Sequence, residues 1–139
     1  MKHVTLYTDG SCKGNPGPGG YAAILQHEDA HGRRHEKVVS GGIPHTTNNR
    51  AEAIAAIQAL SALKEPCRVD LYTDSQYLAT VATGGRARAN LDLVTELRAL
   101  MARHQVTVHH IAGHNGHPEN ERADRLAQEA AALQAQASP

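Results

Sequence analysis

The chain opens with an alternation of side-chain types that predicts a β-strand at residues 2–9. Val4 and Leu6 fall on one face of this segment, and Thr5 and Tyr7 fall on the other. A period of two, built from β-branched and aromatic residues, is typical of a half-buried strand. The segment is therefore expected to belong to the core sheet.

Two short apolar segments, residues 21–25 and 37–40, predict the next two strands. Glycine and proline dominate residues 12–20, which precede them. Connections this short favour antiparallel neighbours, so the three strands are expected to form a meander. Residues 41–44, Gly-Gly-Ile-Pro, are expected to end the third strand.

Helices and strands alternate in the rest of the chain. Residues 50–63 are apolar nearly all round, which predicts a helix buried on most of its sides. A strand is predicted at residues 69–73, and a helix between two strands implies a right-handed crossover to a parallel neighbour. The remaining predicted elements are a short helix opened by Asp74, a helix at residues 91–103, a strand at residues 106–111, and a helix that begins at Pro118 and frays from Ala131. This order indicates an α/β fold.

Length and composition indicate one domain, residues 1–139, with a core of small aliphatic side chains. The chain is 40% hydrophobic but only 3% aromatic, and its formal net charge is zero. Electrostatics alone therefore do not indicate a nucleic-acid partner, although an acidic cluster could cancel a basic rim. Cys12 and Cys67 match neither a disulfide framework nor a metal motif. With no signal-peptide pattern and no long apolar run, we expect a soluble cytoplasmic protein.

Three carboxylates occupy unusual positions in this pattern. Asp9 ends the first strand, Asp74 follows the strand at residues 69–73, and Glu52 lies in the buried helix. Each has an ordinary explanation, because Asp9 suits a turn, Asp74 suits a helix N-cap, and Glu52 suits a capping pair with Asn49. The crossover helix must pack beside both strands, however, so the three side chains are expected to converge.

Converging carboxylates cannot all stay ionised without a compensating positive charge. Oxygen ligands select a hard cation such as Mg²⁺ over zinc. A pair of Mg²⁺ ions held by carboxylates is a recognised arrangement for phosphodiester cleavage. The pattern alone therefore indicates a metal-dependent enzyme of phosphodiester chemistry.

Four segments of the chain resemble type 1 ribonuclease H. They are residues 8–17 (TDGSCKGNPG), 46–52 (TTNNRAE), 73–77 (TDSQY) and 113–124 (GHNGHPENERAD). The resemblance implies a five-stranded mixed sheet of order 3-2-1-4-5 with helices on both faces. It also implies an endoribonuclease that cuts the RNA strand of RNA/DNA hybrids and leaves 5′-phosphate and 3′-hydroxyl ends.

The resemblance implies specific roles for five residues. Asp9, Glu52, Asp74 and Asp124 match the four metal ligands of the family, with Asp9 shared by both ions. Asp124 would help to hold the ion that activates the attacking water, while Glu52 and Asp74 would hold the ion at the leaving 3′ oxygen. His114 resembles a mobile histidine that assists proton movement or product release. An ordinary alternative for Asp124 is a solvated charge on its helix.

The resemblance also implies contacts with the hybrid. They map to Cys12, Asn15, Thr47, Asn48, Asn49, Arg50 and Gln76. Short polar groups of this kind suit recognition of 2′-hydroxyls across a wide minor groove. The implied partner is an RNA/DNA hybrid duplex. We expect the protein to act as a monomer and not to associate with a membrane.

One segment departs from the pattern of the family. Many bacterial members insert a basic helix and loop, rich in Lys and Trp, where this chain has only residues 83–90 with Arg86 and Arg88. Fewer phosphate contacts predict weaker hybrid binding with a weaker salt dependence. Two other functions on the same fold remain as alternatives: a non-catalytic hybrid-binding module, which would not need four acids and His114, and a DNA nuclease or integrase-like enzyme, which would not need amide contacts for 2′-hydroxyls.

A zinc site is a further alternative. Four histidines lie close together in sequence: His109, His110, His114 and His117. Their spacing matches no common zinc pattern. We therefore expect magnesium rather than zinc, with Mn²⁺ as a possible substitute.

Overall fold

The first strand lies at the centre of the sheet in the computed structural model, which describes residues 1–112 and 117–137. The strands are β1 (Lys2–Cys12), β2 (Gly17–Glu28), β3 (Arg34–Thr46), β4 (Cys67–Thr73) and β5 (Gln105–His110). They form one sheet of order β3-β2-β1-β4-β5, which confirms the predicted order. β1 pairs antiparallel with β2 and parallel with β4. The predicted meander and the predicted crossover are both present.

Helices cover the two faces of this sheet. They are α1 (Asn48–Ser61), α2 (Gln76–Ala82), α3 (Leu91–Met101) and α4 (Pro118–Ala137). The buried side chains of β1, Val4 and Leu6, belong to one apolar core with α1, α2 and α3. α4 contacts the first three strands from the opposite face. In the described part of the chain, no helix is long and apolar enough to cross a membrane.

The third strand is longer than predicted, because its glycines extend it rather than end it. Gly41 pairs with Tyr21 and Gly42 pairs with Gly20. A Cβ on Gly41 would lie 2.6 Å from the hydroxyl of Tyr21, so a side chain at this position would have to displace the Tyr21 ring that lies over the strand. The expectation that residues 41–44 break the strand was wrong for this reason.

The last helix is also longer than predicted. The expected fraying from Ala131 is not what the structure shows, since α4 continues to Ala137 and Ala131 is buried. A Cβ on Gly20 would lie 2.5 Å from both the Ala127 carbonyl oxygen and the Ala131 nitrogen. The close approach of α4 to β2 at this glycine buries Ala131, where the tail was expected to begin, and the helix continues beyond it to Ala137 with its side chains partly or fully exposed.

Candidate active site

Three elements of the fold bring three carboxylates together. Asp9 lies near the end of β1, Glu52 in the second turn of α1, and Asp74 directly after β4. One ligand oxygen from each lies within 4.8 Å of the others. Parallel strands end at the same edge of a sheet, and the crossover helix packs beside them. The predicted convergence of these three side chains is therefore present.

Gly10 allows β1 and α1 to approach closely at this point. A Cβ on Gly10 would lie 2.3 Å from the Ala51 carbonyl carbon and 2.5 Å from the Glu52 nitrogen. The Gly10 N–H donates to Glu52 Oε1 at 2.9 Å, and also to Asp9 Oδ1 at 2.9 Å. One backbone donor thus holds two carboxylates of the cluster.

The ordinary explanations for Glu52 and Asp74 do not apply. Thr47 is the N-cap of α1, and its hydroxyl accepts from the Arg50 N–H at 3.2 Å. Ser75 is the N-cap of α2, and its hydroxyl accepts from the Leu78 N–H at 3.0 Å. Neither carboxylate is used as the predicted cap, so both remain available to the cluster.

Burial makes the cluster electrostatically costly. Asp9 is 3% exposed, and burial together with the charges of Glu52, Asp74 and Asp124 raises its pKa to about 10. Burial, and then the charge of Asp74, raises the pKa of Glu52 to about 8. Asp9 Oδ2 is buried and accepts no hydrogen bond from the described residues. An unpartnered oxygen among like charges fits a hard divalent cation, which needs oxygen ligands and supplies the missing positive charge.

α4 contributes two side chains beside this cluster. Asp124 is not within the group of three, and its oxygens accept from Gln128 Nε2 at 3.2 and 3.1 Å. Its charge nevertheless contributes to the raised pKa of Asp9, so it lies beside the cluster. Asn120 is 2% exposed and donates through Nδ2 to Asp74 Oδ2 at 3.4 Å. Sequence reasoning missed Asn120, although its spacing of four from Asp124 places both on one helix face.

The histidines for which a catalytic or zinc-binding role was considered lie in different places. His114 lies outside the described residues, together with Gly113 and Gly116. His109 Nε2 lies 2.8 Å from Asp70 Oδ1, and His110 Nε2 lies 3.3 Å from the Asp74 carbonyl oxygen. In residues 1–112 and 117–137, the acid cluster is the only group of side chains suited to a metal ion. Of the four histidines of the zinc alternative, His109, His110 and His117 belong to no such group among the described residues, and His114 lies outside them.

The predicted substrate-contact residues lie at the end of β1, in the loop before β2, and at the starts of α1 and α2. Asn15 Oδ1 accepts from the Asn48 N–H at 2.9 Å, which joins the loop between β1 and β2 (residues 13–16) to the start of α1. The Cys12 thiol donates to the Thr46 carbonyl oxygen at 3.3 Å. The remaining residues of the set lie at the starts of α1 and α2: Thr47, Asn49, Arg50 and Gln76. Asn15, Asn48, Asn49 and Gln76 are exposed.

Sequence comparisons identify relatives over nearly the whole chain. The family profile of RNase H matches residues 1–132. Ribonuclease H of Erythrobacter litoralis is 51% identical over 148 aligned positions, covering 96% of this chain and 99% of the relative. Ribonuclease H of Thermus thermophilus is 51% identical over 149 positions, covering 96% and 87%. Both alignments exceed the 139 residues of the chain, so these relatives carry additional residues inside the aligned region.

Solved structures give the same result. A type 1 RNase H, LC9-RNase H1, superposes with a TM-score of 0.86 at 30% identity, covering 96% of this chain and 74% of that one. RNase H1 from Halobacterium salinarum superposes with a TM-score of 0.72 at 31% identity, covering 92% and 96%. LC11-RNase H1, solved in complex with an RNA/DNA hybrid, gives 0.74 at 27% identity, covering 94% and 97%. The chain therefore belongs to the type 1 ribonuclease H family of enzymes.

Proposed function

We propose that this enzyme hydrolyses the RNA strand of RNA/DNA hybrids with two bound Mg²⁺ ions, leaving 5′-phosphate and 3′-hydroxyl ends. The observation that carries the proposal is the cluster of buried Asp9 with the partly buried Glu52 and Asp74, in which one oxygen of each residue lies within 4.8 Å of the others in a ribonuclease H chain. The unpartnered Oδ2 of Asp9 supports a cation at its centre.

Four side chains would hold the two ions. Asp9 would be shared, Glu52 and Asp74 would hold the ion at the leaving oxygen, and Asp124 would complete the site from α4. When bound, the ions supply positive charge that activates the attacking water and stabilises the leaving 3′ oxygen. The Gly10 N–H keeps Glu52 in place, and Asn120 keeps Asp74 in place. We assign proton movement or product release to His114.

Recognition of the hybrid is proposed for the surface where the loop at residues 13–16 meets the start of α1. Asn15, Asn48 and Asn49 present amide groups there, and Gln76 lies at the start of α2. Amides donate and accept, which suits 2′-hydroxyls and base edges in a minor groove. The hybrid complex of LC11-RNase H1, a relative with the same fold, supports this substrate class.

Binding is proposed to be weaker than in relatives with a basic insertion. The link between α2 and α3 contains only residues 83–90, and the net charge of the chain is zero. The additional residues of the aligned relatives support a shortened segment in this chain. Arg86 and Arg88 are exposed on the link and are the cations that we propose to compensate.

The chain is proposed to act as one monomeric catalytic domain in the cytoplasm. Its described strands form a single sheet around one apolar core, which supports one domain. Cys12 and Cys67 are free thiols, and free thiols are typical of a reducing compartment.

One assay tests the function. Labelled RNA/DNA hybrid, DNA duplex and RNA duplex are each incubated with Mg²⁺, with Mn²⁺ or with chelator. We expect cleavage of the RNA strand of the hybrid alone, lost in chelator and in Asp9→Asn. Hybrid binding without cleavage would instead identify a binding module, and cleavage of the DNA duplex would identify a DNA nuclease. Activity of Asp9→Asn near that of the parent enzyme would refute the assignment.

A further inference from the structure

The guanidinium of Arg50 is fixed by the start of α3. Nη1 donates to Asp92 Oδ1 at 3.0 Å and to Asn90 Oδ1 at 3.3 Å, and Nη2 donates to Asp92 Oδ2 at 2.9 Å. Two parallel bonds to one carboxylate fix the plane of the guanidinium as well as its position. The link between α2 and α3 therefore ends in a clamp on the first turn of α1.

The conformation of Asn90 is consistent with this clamp. Asn90 precedes α3 with φ of 59°, in the left-handed region, and its side chain makes no capping bond to the helix. An asparagine at an N-cap ordinarily bonds a backbone N–H of the first turn. Here its side chain accepts from Arg50 and donates to the Tyr77 hydroxyl at 3.4 Å. The capping bond has been exchanged for contacts that fix Arg50.

The clamp leaves one edge of the guanidinium without a partner. A guanidinium carries five N–H groups, and the three bonds use both groups of Nη1 and the inner group of Nη2. The Nε–H and the outer N–H of Nη2 lie side by side, and neither has a partner among the described residues. Such a pair matches two oxygens of a phosphate. The Arg50 side chain is 32% exposed, two residues from Glu52.

We propose that Asp92 and Asn90 are positioning residues that hold the free edge of Arg50 ready for a backbone phosphate of the hybrid. The inference rests on the proposed function and deepens it, because it identifies how a chain with a short link grips its substrate. Fixing a long side chain before binding removes the ordering cost from the binding step. A free arginine would lose that entropy each time a hybrid binds.

A competing explanation of the contact between Asp92 and Arg50 predicts the opposite change in hybrid affinity. If Asp92 only neutralised Arg50, its removal would release the cation and tighten binding to the hybrid. The matched control is Glu96, which lies one turn further along α3, is exposed, and has no ion pair within the described residues. Asp92→Asn and Glu96→Gln make the same change of net charge. A difference in hybrid affinity between these two variants therefore reports the contact of Asp92 with Arg50.

The experiment measures hybrid binding by fluorescence anisotropy at several KCl concentrations. The protein carries Asp9→Asn with Mg²⁺ present, so that the labelled hybrid is not consumed. We expect Asp92→Asn to bind about threefold to tenfold more weakly than Glu96→Gln, with a salt slope lower by about one phosphate contact. Asn90→Gly keeps the left-handed conformation, removes the second acceptor, and is expected to weaken binding in the same direction.

Two further measurements separate positioning from folding and from the proposed function. In an Arg50→Ala background, Asp92→Asn should have no further effect on affinity, and thermal melting should show each variant folded at the assay temperature. Binding by Asp92→Asn that equals or exceeds that of Glu96→Gln would overturn the inference. A parent enzyme that fails to cleave the hybrid would instead overturn the proposed function.

Discussion

The backbone N–H of Gly10 donates to Glu52 Oε1 at 2.9 Å, and this bond joins the central strand to the crossover helix at the acid cluster. The distance between these two residues is set by the missing side chain of Gly10. Because the neighbouring atoms are backbone atoms of α1, they cannot move aside without moving the helix and Glu52 with it.

Gly10→Ala is expected to destabilise the protein and to reduce its activity. The new Cβ would lie 2.3 Å from the Ala51 carbonyl carbon, so α1 must move away from β1. We expect a loss of about 1–3 kcal/mol in the free energy of unfolding, measured by urea titration. A displacement of Glu52 by about 1 Å is expected to reduce hybrid cleavage by roughly 100-fold. Ser11→Ala, at the next position, is the control and should change neither; a parent-like Gly10→Ala would contradict the packing argument.

Removing one charge from the cluster is expected to stabilise the protein while abolishing its activity. Asp9→Asn replaces a buried carboxylate that has three acidic neighbours with a neutral amide of similar size. In chelator, we expect the free energy of unfolding to rise by about 1–3 kcal/mol. Mg²⁺ should raise the melting temperature of the parent enzyme but not that of this variant.

The control for this prediction is Glu129→Gln. Glu129 is exposed on α4 and belongs to no acidic group in the described residues. The Glu129→Gln variant should keep both the cleavage activity of the parent enzyme and its stabilisation by Mg²⁺. Equal stabilisation of Asp9→Asn by Mg²⁺ would show that the cation binds elsewhere.

The contacts of β4 with its neighbours β1 and β5 are expected to stabilise the protein in a pH-dependent way through Asp70. Hydrogen bonds from His109 at 2.8 Å and from His3 at 2.5 Å hold the pKa of Asp70 below its ordinary value. A lowered pKa means that the folded chain keeps this carboxylate ionised where the unfolded chain binds a proton. The contribution to stability is therefore complete above about pH 4 and is lost as the pH falls through the folded pKa.

Urea unfolding of Asp70→Asn at several pH values checks this sign. We expect a cost of about 1 kcal/mol at pH 6, because the group is partly exposed, and a smaller cost as the solution is acidified. Glu28→Gln removes an exposed carboxylate that has no ion pair within the described residues, and it should cost little at any pH. If the loss of unfolding free energy caused by Asp70→Asn grew larger as the pH fell, the prediction would be contradicted.

The two arginines of the link are expected to supply part of the grip on the hybrid. Arg86 and Arg88 are exposed and make no ion pair within the described part of the chain. Replacing both with alanine should weaken hybrid binding and reduce the salt slope by about two contacts. The control replaces Arg33 and Arg103, which lie at the opposite end of the sheet, and makes the same change of net charge. Equal effects of the two double variants would show that only net charge matters.

The meander, the parallel crossover and the convergence of three acids could be predicted because they follow from short-range rules, whereas the full sheet order was implied by the resemblance to type 1 ribonuclease H. Asp9 and Asp74 lie at the carboxyl ends of the neighbouring parallel strands β1 and β4, and the helix that contains Glu52 leads from β3 into β4 and packs against β1. The extent of β3 could not be predicted, because Gly41 is read locally as a break. Only the ring of Tyr21, which lies over this glycine, shows why the strand needs it.

The clamp on Arg50 was missed for a similar reason. Arg50 and Asp92 are 42 residues apart, and neither position has a local pattern that indicates a partner. Asn90 carries a signal only in the structure, where its φ is positive. Asn120 could have been found from its helical spacing to Asp124, but its burial against Asp74 depends on how α4 packs on the sheet.

The link at residues 83–90 lies outside the elements that carry the acid cluster. It lies between α2 and α3 and contributes no strand to the sheet, so its length can change without altering the register of β1 against β4. Asp9 lies on β1, Asp74 directly follows β4, and Glu52 lies on α1, which approaches β1 closely at Gly10. If the link holds the hybrid as we propose, changes in this one surface segment should alter the affinity for the hybrid while the acid cluster keeps its geometry.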